Sequence, residues 1–153
     1  KVYGITYSED TPINKNDMGK PSLAEYPHIH FNLSHAKGIS ACIVSGSECG
    51  IDCEQVRKCS QGVMRRAFTE SERALVESLP EDQHDLMFTR LWTLKESYVK
   101  AIGIGVSYPL NTVGFSFDGS SIISTKKDCS FRQYLIQGGR YVVSVCRLNK
   151  PQE

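Results

Sequence analysis

Trp92-Thr93-Leu94-Lys95-Glu96-Ser97-Tyr98-Val99-Lys100-Ala101-Ile102-Gly103-Ile104-Gly105 closes the longest periodic stretch of this 153-residue chain. Reading back from it, Phe88, Leu91, Trp92, Val99 and Ile102 recur at spacings of three, four and seven, which predicts one amphipathic helix from about Gln83 to Ile102. Gly103 and Gly105 supply the residue type that accepts the left-handed turn at a helix end. On that helix Trp92, Glu96 and Lys100 follow at intervals of four and share a face, with Lys95 turned about 100 degrees from Glu96. An exposed Glu96–Lys100 pair would contribute only a few tenths of a kcal/mol, roughly. The register with Phe88 and Trp92 instead points Glu96 toward the domain.

Upstream, Val63, Met64, Ala67 and Phe68 mark a short helix, and Thr69 with Glu72 forms a capping box that opens a second one, running to Leu79 before Pro80. Glu72 is therefore read as a cap and kept out of the catalytic set. Further back, His30–Ser34, Ile39–Val44 and Gly50–Val56 read as three strands of an antiparallel meander. From Lys1 to Pro27, Asn, Asp, Pro and Gly predict loops around Met18-Gly19-Lys20-Pro21, apart from a short strand at Val2–Tyr7. Downstream, Val113–Phe117, Ser121–Thr125, Phe131–Gln137 and Tyr141–Leu148 alternate or run apolar between Asp118-Gly119 and Gly138-Gly139 turns. Strands, then helices, then strands give an α+β class, with small mixed or antiparallel sheets and helices packed on one side.

Composition bounds the function. The chain is 40% hydrophobic and 23% charged, ordinary values for one folded domain. Eighteen basic against 17 acidic residues provide no overall field for nucleic acid or an anionic membrane, so any anion site must be local. No apolar run approaches the roughly 20 residues that span a bilayer, and the chain reads as soluble and cytoplasmic. The six cysteines form no CxxC pair and read mostly as buried free thiols.

Asp52 and Glu54 stand two apart on a predicted strand, so both carboxylates project from one face while Ile51 and Cys53 point inward. Taken alone, this reads as an exposed strand face with solvated acids. With Glu96 from the helix it becomes an all-oxygen set suited to Mg²⁺ bridging to substrate phosphates. Lys20, His35, Arg57, Lys95 and Lys100 are the cations at hand, and Ser34 and His35 end their strand with a hydroxyl and an imidazole. A pyrophosphate hydrolase would share the three acids.

In order, Gly19-Lys20-Pro21, Phe31-Asn32-Leu33-Ser34-His35, Gly50-Ile51-Asp52-Cys53-Glu54, Phe68-Thr69-Glu70-Ser71-Glu72 and the Trp92–Gly105 block resemble the 4'-phosphopantetheinyl transferase family, in its larger pseudo-dimeric branch. The resemblance implies that fold with a shortened first half, residues 1–49 being its remnant and 50–153 the second half of a single domain. It implies Asp52, Glu54 and Glu96 holding Mg²⁺ on the pyrophosphate of coenzyme A, Gly19, Lys20 and Pro21 bordering the adenine, and Ser34 and His35 meeting phosphates. Lys100 and Lys95 would stabilise charge on the phosphoryl oxygens, and Glu96 would take the proton of a carrier-protein serine. The partners implied are coenzyme A and an apo acyl or peptidyl carrier protein, with neither nucleic acid nor membrane. Members of this branch carry a further N-terminal stretch, so a missing segment or a second chain is expected to complete the first half. A binding module without turnover is the alternative.

Overall fold

The computed structural model describes residues 3–150. Its elements are β1 (Ile13–Lys15), β2 (Pro21–Leu23), β3 (His30–Ala36), β4 (Ile39–Ser45), β5 (Cys49–Gln55), α1 (Gln61–Ala67), α2 (Glu70–Ser78), α3 (Glu81–Ile102), a single 3-10 turn (Leu110–Thr112), β6 (Phe115–Asp118), β7 (Ser121–Ser124), β8 (Cys129–Ile136) and β9 (Tyr141–Leu148). The α+β class holds. Val2 lies outside the described residues, and Tyr3–Tyr7 carries no strand, contrary to the sequence expectation.

Each helix ends where its residues dictate. The Ser60 side chain accepts from Val63 N at the start of α1, and the Thr69–Glu72 box is formed at α2. Gly103 closes α3 at φ 69°, the left-handed conformation that glycine adopts without strain. Phe88, Leu91 and Val99 are buried, whereas Trp92 and Ile102 are half-buried at the edge of the core.

The expected meander is corrected at its third strand. β3 and β4 form an antiparallel hairpin, but β5 pairs with β9 in an antiparallel sheet of order β5-β9-β8. β3 instead crosses beside β5 and meets it through side chains. Asn32 Oδ1 accepts from Ile51 N at 2.9 Å, and Ser34 Oγ accepts from Cys53 N at 3.1 Å. A polar side chain thus satisfies an edge amide where no neighbouring strand does.

The three-stranded sheet separates two cores. On one face α3 packs with Met64, Phe68, Val76, Phe115 and Cys146 into the main core, where Phe68 stacks on Phe88 and Phe115 meets Phe131 edge to face. On the other, Ile51, Cys53 and Val143 form a small core under the β3–β4 hairpin. All six cysteines are free, and Cys42 is exposed, departing from the expected burial. No helix among the described residues is long and apolar enough to cross a membrane.

Candidate active site

Strand alternation carries Asp52 and Glu54 to the α3 face of β5, and Gly50 lets that strand touch the helix. Any Cβ at position 50 would overlap the Ser97 carbonyl oxygen and the Ala101 nitrogen. Close approach brings Lys100 over the strand, where its ammonium donates to Asp52 Oδ1 at 2.8 Å, Ile51 O at 3.0 Å and Ser34 Oγ at 3.2 Å. Asp52 is 6% exposed, and its second oxygen, Oδ2, is buried with no hydrogen-bond partner among the described residues. An orphaned carboxylate oxygen in a protein interior leaves its desolvation uncompensated unless a cation or donor arrives.

The three acids share one field. Burial, more than any other cause, pushes the Asp52 carboxyl up against the opposing pull of Lys100. Burial likewise raises Glu54 and Glu96, and the Asp52 carboxylate adds to both shifts. The Trp92 indole, Lys100 and Arg57 oppose the rise at Glu54. Arg57 is one of the five cations near the motifs. Its guanidinium lies 5.0 Å from the Trp92 ring centre and 5.5 Å from that of Phe88, next to the acids. Among the described residues, no three Asp, Glu, His or Cys side chains are already drawn together at metal-ligand spacing. The acids are electrostatic neighbours, with Asp52 Oδ2 the oxygen most in need of a cation.

Beside them lies a cleft of about 300 Å³ between the Met18–Pro21 turn, β3 and the end of α3, lined by Gly19, Lys20, Pro21, Glu96, Lys100 and Gly105 among others. Lys20 does not extend freely into it. Its ammonium pairs with Glu48 and donates to Ala101 O at 2.8 Å, capping the end of α3. Asn16 adds a bond to Gly103 O at 3.2 Å, and His30 Nδ1 stands 3.2 Å from Glu48. Glu48 and Asn16 carried no signal in the sequence, because neither belongs to a periodic element or a motif.

Two expectations are corrected. Lys95 is fully buried, pairing with Glu72 at 2.7 Å and donating to Leu110 O at 3.0 Å and to Val113 O. Burial pulls its ammonium down and Glu72 opposes that shift. Glu72 in turn accepts from Thr69 N and Phe115 N, so the pair ties α2, α3 and β6 together inside the main core. The 100 degree offset from Glu96 is the reason, since it turns Lys95 into the protein while Glu96 faces the cleft. Ser34 and His35 do not form a terminal pair either. β3 continues through Ala36, so alternation turns Ser34 into the contact with β5 and leaves His35 exposed on the other face.

The model of the 4'-phosphopantetheinyl transferase superfamily matches residues 48–146. The chain is 30% identical over 142 residues to the 4'-phosphopantetheinyl transferase Sfp of Bacillus subtilis, covering 90% of this chain and 63% of that protein. To the L-aminoadipate-semialdehyde dehydrogenase-phosphopantetheinyl transferase of Homo sapiens it is 34% identical over 118 residues, covering 67% of this chain and 38% of the relative. The chain thus spans less than two thirds of the length of these curated relatives. Among solved structures, the holo-[acyl-carrier-protein] synthase of Thermotoga maritima shares the fold at TM-score 0.57 and 21% identity, over 69% of this chain and 65% of that one. The holo-(acyl-carrier-protein) synthase of Bacillus anthracis in complex with CoA (3',5'-ADP) does so at TM-score 0.55 and 21% identity, over 67% of this chain and 95% of that one.

Proposed function

From the premise that this chain belongs to the 4'-phosphopantetheinyl transferase superfamily, we propose that it moves the 4'-phosphopantetheine arm of coenzyme A onto a serine of an acyl or peptidyl carrier protein. The serine oxygen attacks the phosphorus that bears the pantetheine, the bond from that phosphorus to the departing nucleotide breaks, and 3',5'-ADP leaves. The observation that carries this reading is the buried Asp52 Oδ2, without a partner among the described residues, in a field of acids beside an open cleft. It supports a divalent cation and a substrate rich in phosphate.

Asp52, Glu54 and Glu96 would hold Mg²⁺, which suits oxygen ligands and when bound neutralises pyrophosphate charge. Phosphoryl transfer otherwise needs positioning and charge complementarity. Lys100 supplies the charge, held in place by Asp52, Ser34 and the Ile51 carbonyl. Ser34 therefore acts through Lys100, while His35 is the imidazole free to meet a phosphate. Glu96 takes the serine proton. Its carboxyl, raised by burial and by Asp52, is a stronger base once ionised than an ordinary glutamate. The Gly19-Lys20-Pro21 turn borders the adenine through its backbone, since the Lys20 ammonium is committed to Glu48 and Ala101. In this reading residues 1–49 are the remnant of a first half, 50–153 are the second half, and the protein works in the cytoplasm.

The test is direct. The chain, coenzyme A, Mg²⁺ and an apo carrier protein are incubated and the carrier is weighed by mass spectrometry. A gain equal to the phosphopantetheine arm is expected. An unchanged carrier, in a preparation that a reference transferase converts, overturns the proposal for this chain.

A further inference from the structure

The turn that borders the cleft is built around one residue outside every motif. β1 and β2 pair antiparallel up to Lys15 and Pro21, which leaves residues 16–20 as the loop between them. Asn16 Oδ1 accepts from Met18 N at 3.0 Å and from Lys20 N at 2.8 Å. The Asn16 backbone adds bonds to Lys20 O at 3.0 Å and from Gly19 N at 2.9 Å. An asparagine side chain that takes up its neighbours' amides fixes a turn from within. The other end of the same amide reaches out of the loop, where Nδ2 donates to Gly103 O at 3.2 Å, 87 residues along the chain. Oxygen toward two N–H groups and nitrogen toward a carbonyl is the one amide orientation that satisfies all three.

The receiving carbonyl lies at the end of α3, where carbonyls have no partner within the helix. The Lys20 ammonium takes a second one, Ala101 O, at 2.8 Å. The surfaces so joined are in direct contact. A Cβ at Gly103 would stand 3.1 Å from Asn16 Nδ2, and one at Gly105 would overlap the Met18 methyl. Met18–Pro21 forms one wall of the cleft and Gly103, Gly105 and Val106 form another, while Asn16 stands behind them and outside the lining.

We propose that Asn16 is a positioning residue for coenzyme A, clasping these two walls so that the cleft keeps its width before the substrate arrives, a role that rests on the transferase reading of that cleft. Preforming a site lowers the ordering that binding must offset, so the clasp acts on affinity rather than on the reacting groups.

In Asn16→Ser the uncharged hydroxyl can still serve the turn but is too short to reach Gly103. Calorimetric titration with coenzyme A in the presence of Mg²⁺ is expected to give a Kd about five- to tenfold above that of the unaltered chain. The carrier mass assay is expected to show KM for coenzyme A raised by the same factor, with kcat within about twofold. A merely structural role would instead lower kcat with the folded fraction and leave Kd unmoved. Equal Kd in the two proteins overturns the proposal and leaves the transferase reading intact, whereas an unaltered chain that binds no coenzyme A overturns both. Should Asn16→Ser fail to fold, Asn16→Asp keeps the acceptor for the Met18 and Lys20 amides and loses the donor to Gly103. It is titrated at raised ionic strength, where its added charge is screened. A Kd equal to that of the unaltered chain under the same conditions again overturns the clasp.

Discussion

Gly50 lies flush against the backbone of Ser97, with no room for a side chain between β5 and α3. That contact sets the distance at which strand and helix groups meet, including the 2.8 Å bond from Lys100 to Asp52. Gly50→Ala must push the two elements apart. It is expected to destabilise the fold by about 1–3 kcal/mol, the range for overpacking a tight core, and to lose transfer activity beyond what that loss explains. Urea unfolding and the carrier mass assay check the two parts separately.

Lys95 and Glu72 are both fully shielded from solvent. Removing one partner strands the other as a buried charge, so Lys95→Met is expected to cost about 3–5 kcal/mol, seen as a lower urea midpoint. The double change Lys95→Met with Glu72→Gln should recover part of that loss. Recovery identifies Lys95 as a strut of the core; a stable but inactive Lys95→Met would return it to the phosphate site.

Glu96→Gln keeps the shape of the side chain and removes its charge. Transfer is expected to fall by about 10²–10⁴-fold, the usual contribution of a positioned base. Relief of repulsion with Asp52 should at the same time raise the melting temperature of the chain in a chelator. Unchanged activity refutes the role as base, and differential scanning calorimetry reads the second effect.

Stability should depend on pH in a defined direction. The carboxyls of Asp52, Glu54 and Glu96 titrate above their ordinary values in the folded chain. The folded state therefore holds these protons more tightly, and the stability they contribute is full below the unfolded range near about pH 4 and is lost as pH rises through the raised values. In a chelator the unfolding free energy from this cluster falls across that window, and Glu54→Gln or Glu96→Gln flattens the fall. Mg²⁺ should raise the melting temperature more at pH 7 than at pH 4, roughly, because only ionised carboxylates bind it.

Ser34→Ala removes the acceptor for Cys53 N and one support of Lys100. A loss of about 1–3 kcal/mol is expected for the amide left unsatisfied, together with a fall in transfer rate. Ser34→Thr, which restores the hydroxyl, should return most of both.

Local chemistry made several features legible before any coordinates. The period of Phe88 to Ile102, the Thr69–Glu72 cap and Gly103 determine helices through contacts within a few residues, and each stands where the sequence placed it. Alternation likewise determined that Asp52 and Glu54 share a face. Tertiary structure alone decided the rest, because those contacts span tens of residues: that β5 pairs with β9, that Asn32 and Ser34 bond across to β5, and that Lys20 turns to Glu48 and the end of α3. Lys95 and Glu96 show the division most plainly. They are adjacent in the chain, yet one was turned into the core and the other toward the cleft by which helix face met the sheet, a choice set by where the rest of the protein packs.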